Sequence, residues 1–158
     1  MNAAIVCVGR LREKFYQGAA EEYRKRLSRF GRLEIIEVPD LPEPQNASDA
    51  QRQQVILREG EEILARLRPG DYVTALCIDA PQYDSEAFAQ RLRAGDMRGG
   101  RQVFVIGGSL GLSPAVLKRA EDKLSFSKMT FPHALARIIL LEQLYRGCKI
   151  NAGERYHK

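Results

Sequence analysis

Apolar residues fall along this chain in short, near-continuous runs: 3–9, 33–38, 72–78 and 102–106, with a weaker run over 124–130. Runs without alternation, rich in Val and Ile, predict strands covered on both faces. Between them the apolar positions recur at helical spacing, which predicts helices over 12–31, 48–67, 85–94, 113–122 and 132–145. Ser48 and Gln51 have the spacing of a capping box, and Ser113 followed by Pro114 marks another helix start. Gly147 is expected to close the last helix. Strand and helix alternate throughout, so the fold class is α/β, with a mainly parallel sheet flanked by helices. Segment 40–46 (DLPEPQN) is the one Pro-rich loop, and residues 1–158 read as a single domain.

Two helices depart from the ordinary amphipathic pattern. In the first, Phe15, Tyr16, Ala19, Ala20, Tyr23, Leu27 and Phe30 fall on one side, and Arg24, Lys25, Arg29 and Arg32 fall roughly opposite. That basic stripe reads as a phosphate-tracking surface or as a solvated face partly neutralised by Glu21–Lys25 and Glu22–Arg26 pairs. In the last helix, apolar residues stand at nearly every angle, among them Leu135, Ile138, Ile139, Leu141 and Leu144. A helix apolar all round needs burial all round. A second subunit and a central position in one core are both solutions.

Charge sharpens this picture. The chain of 158 residues carries a net +5. Residues 1–32 hold 8 basic and 3 acidic residues, residues 33–117 hold 8 and 13, and residues 118–158 hold 9 and 4. Two basic ends thus bracket an acidic middle. Cys7, Cys77 and Cys148 are odd in number and lack metal-ligand spacing, and His133 and His157 are the only histidines. That usage points to a reducing compartment and to no metal site. No apolar stretch approaches the roughly 18 residues that span a bilayer, and the N-terminus lacks the pattern of a signal peptide. The expected location is the cytoplasm, with no membrane partner.

Three segments carry candidate chemistry. The run 102–106 leads into Gly107-Gly108-Ser109-Leu110-Gly111 and then a helix. Ligands of open α/β sheets bind outside the carboxyl ends of the strands, and glycines permit close backbone approach. The same residues fit the G-x-S-x-G elbow of a serine hydrolase, with Ser109 as nucleophile. The helix start at Ser113-Pro114 argues against an elbow, because it leaves Ser109 in a wider loop. The second segment, 124–133 (LSFSKMTFPH), precedes a helix start, and the third is the basic tail 147–158 (GCKINAGERYHK). Tyr156 beside Arg155 and His157 suits stacking and phosphate binding in a single-stranded RNA site.

The segments 104–112 (FVIGGSLGL), 124–133 (LSFSKMTFPH), 140–150 (LLEQLYRGCKI) and the terminal ERYHK resemble the ribosomal large-subunit pseudouridine N3-methyltransferase family. This is the small, single-domain branch of the SPOUT methyltransferases, and the resemblance covers the whole chain. It implies a C-terminal deep trefoil knot, which general rules of chain topology would have argued against. It implies a homodimer that binds S-adenosylmethionine and methylates N3 of a pseudouridine in a loop of large-subunit rRNA on the assembled ribosome. Carried onto this chain, the cofactor residues are Leu76, Gly107, Gly108, Phe126, Ser127, Lys128, Met129, Thr130 and Phe131. His157, Tyr156, Arg146 and His133 are the expected catalytic residues, and Arg24, Lys25, Arg29, Arg155 and Lys158 the expected RNA contacts. A non-catalytic ribosome-binding module is the alternative of another class.

Overall fold

The structure is a computed structural model and describes residues 1–156. Five strands form one sheet: β1 (Asn2–Val8), β2 (Arg32–Val38), β3 (Tyr72–Leu76), β4 (Gln102–Ile106) and β5 (Asp122–Leu124). Their order is β2-β1-β4-β3-β5, and every pairing is parallel. The helices are α1 (Lys14–Leu27), α2 (Asp49–Leu64), α3 (Ser85–Arg98), α4 (Pro114–Arg119) and α5 (His133–Asn151).

Alternate residues of β1 point to opposite faces, as the pleat requires. Ala4, Val6 and Val8 join a core with Ile63 of α2 and Val116 of α4. Ile5 and Cys7 join a second core with Ala20 of α1, Phe88 of α3 and Leu140 of α5. The helix changes face each time the chain reverses its direction across the sheet, which keeps every crossover the same hand. The segment after β5 then departs from a plain doubly wound sheet. The Ser125 amide bonds to the Pro81 carbonyl at 2.9 Å, and the Cys77 amide to the Leu124 carbonyl at 3.0 Å. Chain 125–132 therefore passes through the connection that follows β3 before entering α5 on the far face. This is the path of an α/β knot.

Three sequence expectations are corrected here. The run 124–130 is not a strand: β5 ends at Leu124. Ser125 Oγ donates to the Ser127 carbonyl at 3.0 Å, and Ser127 Oγ accepts from the Met129 amide at 3.0 Å. Such local bonds compete with a strand ladder. Gly147 does not end the last helix, which continues to Asn151. A Cβ on Gly147 would stand 2.6 Å from Leu92 Cδ1, so the glycine serves the close packing of α5 on α3. The first helix also splits, with a 3-10 turn at Ser28–Phe30 after α1.

At the amino ends of the strands, Arg101 is 7% exposed and grips Asp71 through Nε at 2.9 Å and Nη2 at 2.6 Å. Its Nη1 reaches Glu34 at 3.2 Å and its Nη2 the Arg66 carbonyl at 3.2 Å. Arg101→Lys would keep the charge but lose the planar fork. Its expected cost is about 2 kcal/mol of unfolding free energy, read from denaturant midpoints at unchanged slope.

Candidate cofactor and substrate site

The carboxyl ends of β1, β3 and β4 face one another across a set of loops. Leu76 ends β3, and Gly107 and Gly108 follow β4 directly. The glycine segment closes as a turn, with the Gly111 amide bonded to the Gly108 carbonyl at 3.2 Å. A Cβ on Gly107 would lie 2.9 Å from the Gly111 carbonyl oxygen, a backbone atom that cannot swing aside. A Cβ on Gly108 would lie 2.9 Å from Glu59 Oε2. Gly107 is thus required by contact, whereas at Gly108 the neighbour is the end of the Glu59 side chain; both glycines are partly exposed. Phe126, Ser127, Lys128, Met129, Thr130 and Phe131 form the loop between β5 and α5, with Met129 72% exposed.

His133 opens α5 at the same end of the sheet. Its Nε2 lies 3.4 Å, and Asp40 Cβ 3.5 Å, from where a Cβ on Gly9 would sit. One turn on, Arg137 is 1% exposed. Its Nη1 pairs with Glu37 at 2.6 Å and its Nη2 donates to the Gly9 carbonyl at 2.9 Å.

A second polar group lies farther along α5. Arg146 binds Glu142 through Nε at 3.0 Å and Nη2 at 2.6 Å. Tyr156 donates to Glu142 at 3.3 Å, sits 4.7 Å under the Arg146 guanidinium and lies 5.0 Å from the Tyr145 ring. Burial, and then the Glu142 charge, push the Tyr156 phenol above its ordinary range, so it acts as a donor at neutral pH. Glu154 pairs with both Arg29 and Lys149, which fastens the tail to α5 and to the turn after α1. Arg155 is exposed. His157 and Lys158 lie outside the described residues.

Of the basic stripe, Arg24 pairs with Glu21 at 3.1 Å, in place of the expected Glu21–Lys25 pair, while Arg26 pairs with Glu22 at 2.7 Å as its spacing predicts. Lys25 and Arg32 line a cleft with Ser28, Gly31 and Leu33. Among the described residues neither has an ion-pair partner. Phe15, expected on the inward side of the first helix, is 69% exposed, with its ring tilted against Tyr16 at 4.4 Å. It sits in the first turn, before the helix meets α5.

Ser109 is exposed, and among the described residues it bonds to no histidine or carboxylate. That is no nucleophile elbow. Burial pushes the Cys7 and Cys148 thiols up to about 11, so neither is a nucleophile at neutral pH. Among the described residues no His, Cys, Asp or Glu groups form a metal site, and no helix is long and apolar enough to cross a membrane.

The glycine turn, the threaded segment and the α5 cluster coincide with one family. Residues 1–157 match the family model described as "Predicted SPOUT methyltransferase". The chain belongs to the SPOUT methyltransferases. It is 54% identical, over the full length of both chains, to "Ribosomal RNA large subunit methyltransferase H" of Bifidobacterium animalis subsp. lactis. It is 49% identical, again end to end, to the protein of the same name from Lactobacillus delbrueckii subsp. bulgaricus. Two solved structures share the fold. One is a probable methylase family protein from Haemophilus influenzae, with a TM-score of 0.58 and 15% identity, over 99% of this chain and 70% of that one. The other is a probable methyltransferase from Bordetella pertussis, with a TM-score of 0.55 and 17% identity, over 93% of this chain and 94% of that one.

Sequence reasoning did not single out Glu59, Asp40, Glu142 or Arg137. Arg137 had a signal, as a lone charge amid the apolar residues of the last helix. Glu59 had one too: it shares a helix face with Val55, Ile56 and Ile63, although the charged run Arg58-Glu59-Gly60-Glu61-Glu62 masks it.

Proposed function

We propose that this SPOUT methyltransferase moves a methyl group from S-adenosylmethionine to N3 of a pseudouridine in large-subunit rRNA, as a homodimer acting on the assembled ribosome. What carries this reading is the tight, partly exposed glycine turn at the strand ends of a chain that matches the SPOUT family over residues 1–157. The name borne by the full-length relatives supports the rRNA substrate. Leu76, Gly107, Gly108 and the 126–131 loop would hold the cofactor. S-adenosylmethionine supplies an electrophilic methyl on a positively charged sulfur, so the protein's task is alignment and exclusion of water.

The target nitrogen must shed its proton as it gains the methyl group. Tyr156, held protonated and donating to Glu142, is not the proton acceptor; its ring is the surface it offers to the base. A histidine has the suitable range, and His157, next to Tyr156, is the residue we assign. His157→Ala with wild-type turnover on ribosomes would refute that role. Arg146, oriented by Glu142, binds a phosphate or the anionic face of the base.

Within one chain, Arg146 lies 13 positions beyond His133 on a single helix, a rise of about 20 Å. A second copy that brings its tail cluster to the cofactor loops would close that gap. Leu135 and Ile139, one turn apart and only partly buried, supply an apolar contact for it.

The test is methyl transfer to whole ribosomes, isolated large subunits and free rRNA, with mass spectrometry of the modified base. Methylation of one pseudouridine, strongest on whole ribosomes, is the expected result; no S-adenosylmethionine binding or no base methylation overturns the reading. Ribosome binding is expected to weaken with salt, with a log–log slope of roughly 0.7 to 0.9 per phosphate neutralised. Lys25→Glu with Arg32→Glu should flatten that slope by about one to two units and leave cofactor affinity unchanged. An unaltered slope would show this face to be merely solvated.

A further inference from the structure

Glu59 is an acid placed where the fold leaves little room for charge. It lies on the inward side of α2 and is 3% exposed. The helix is pressed close here: a Cβ on the next residue, Gly60, would lie 2.2 Å from Ser113 Oγ at the start of α4. The Leu41 backbone lies near the carboxyl group and opposes, only in part, the rise in pKa that burial imposes on it. Glu59 Oε2 has no hydrogen-bond partner. Both carboxyl oxygens face Gly108, at 2.9 Å and 3.3 Å from where its Cβ would sit. The acid therefore stands directly beneath the glycine turn.

Among the described residues its surroundings give it no cation. β1 contributes Val8 to the same contact, at 3.2 Å from the Gly108 Cβ position. The loop after β2 contributes Asp40, a like charge. From α5, His133 approaches Gly9 and Asp40, and the Arg137 guanidinium is committed to Glu37 and Gly9. On α2 itself Arg58, Glu61 and Glu62 are exposed. Burial, and then the Asp40 charge, push the Glu59 carboxyl up to about 7.

We propose that Glu59 is a positioning residue of the glycine turn: its carboxylic acid supports Gly108 in the shape that receives the cofactor while it carries its proton, and releases that support when it ionises. An ionised Glu59, with one oxygen unpartnered and Asp40 beside it, must reach water or a donor. Val8 and the body of α2 belong to the core, whereas Gly107–Gly111 is only partly covered. The turn is therefore the part that yields. The inference rests on the reading of this turn as the cofactor cradle.

The experiment is calorimetric titration of the full chain with S-adenosylmethionine at pH 6.0 and 8.5. Wild-type Kd is expected to rise by up to about thirtyfold between them, as binding linked to one proton on a group titrating near 7 does. Glu59→Gln, neutral and of the same shape, should bind with equal affinity at both. His133→Asn should keep the wild-type slope, which separates the acid from the nearby imidazole. Melting gives a second readout. Because the folded-state pKa is raised, stability from this group is complete below the unfolded value near 4.5 and is lost as pH climbs through about 7. Glu59→Gln should therefore melt several degrees above wild type at pH 8.5 and show no such gain at pH 4.5. A pH-independent wild-type Kd, or an equal slope in Glu59→Gln, overturns the inference. Absence of binding at every pH would instead sink the methyl-transfer reading, and the melting comparison would still judge Glu59.

Discussion

Arg146→Ala is expected to lower kcat/KM on ribosomes by about 10²- to 10³-fold, roughly 3–4 kcal/mol of transition-state stabilisation. The size follows from how firmly the group is pre-oriented. Glu142 grips two guanidinium nitrogens, at 3.0 and 2.6 Å, and Tyr156 stacks beneath at 4.7 Å. A cation held this way is aimed before substrate arrives, so its benefit is not spent on reorganisation. Arg146→Lys keeps the charge without the fork and should fall between the two. Affinity for S-adenosylmethionine should change little, because Arg146 is assigned to the base or a phosphate of the substrate and not to the cofactor. A mixed-dimer experiment checks the proposed sharing of sites. Arg146→Ala mixed with Gly107→Ala would form half of the dimers as heterodimers, each with one site spared both substitutions, and recover about a quarter of wild-type activity. Wild-type kcat/KM in Arg146→Ala would remove the residue from the reaction. Recovery no greater than the sum of the two variants would place each site within one chain.

Arg137→Met is expected to destabilise the fold by about 3 kcal/mol, at the lower edge of what removing one partner of a buried pair costs. Arg137 is 1% exposed and reaches Glu37, 100 positions away, and the Gly9 carbonyl, 128 positions away. Those two bonds fix the entry of α5 against the ends of β1 and β2. Glu37 keeps access to water, which holds the loss below the full range; the Gly9 carbonyl would lose its donor. The variant should also bind S-adenosylmethionine less tightly, because the 126–131 loop that opens into α5 loses its anchor. Denaturant unfolding and calorimetry on one preparation measure both effects. A stability loss under about 1 kcal/mol would show that the pair merely breaks even against an apolar side chain.

Much of the scaffold is readable in the chain. β1, β2, β3 and β4 fall within a few residues of the apolar runs. These strands are covered on both faces, so burial is written into consecutive residues. The capping box at Ser48 and Gln51 forms as spaced, with bonds of 2.8 and 3.2 Å. The glycine turn and the tail residues stand out because glycine clusters and a terminal Arg-Tyr-His run are local patterns. The misreadings share a cause. Segment 124–130 has strand composition, but its serine hydroxyls bond to neighbouring backbone instead. Gly147 looks like a helix stop and is a packing position, because Leu92 of α3 occupies the space a side chain would need.

Local order of apolar residues, caps and turns was enough to set the elements, their alternation and the parallel sheet. Each depends on neighbours within a few positions. Helical spacing marks Glu59 as the inward glutamate of 59, 61 and 62, but that it meets Gly108, some 49 positions on, only the packed structure decides. The route of 125–132 through the β3 connection depends on bonds to Pro81 and Cys77. Periodicity carries no record of such partners, because it registers only that a side is covered. Charge burial and chain crossing are properties of the packed whole, and there the chemistry of this site is arranged.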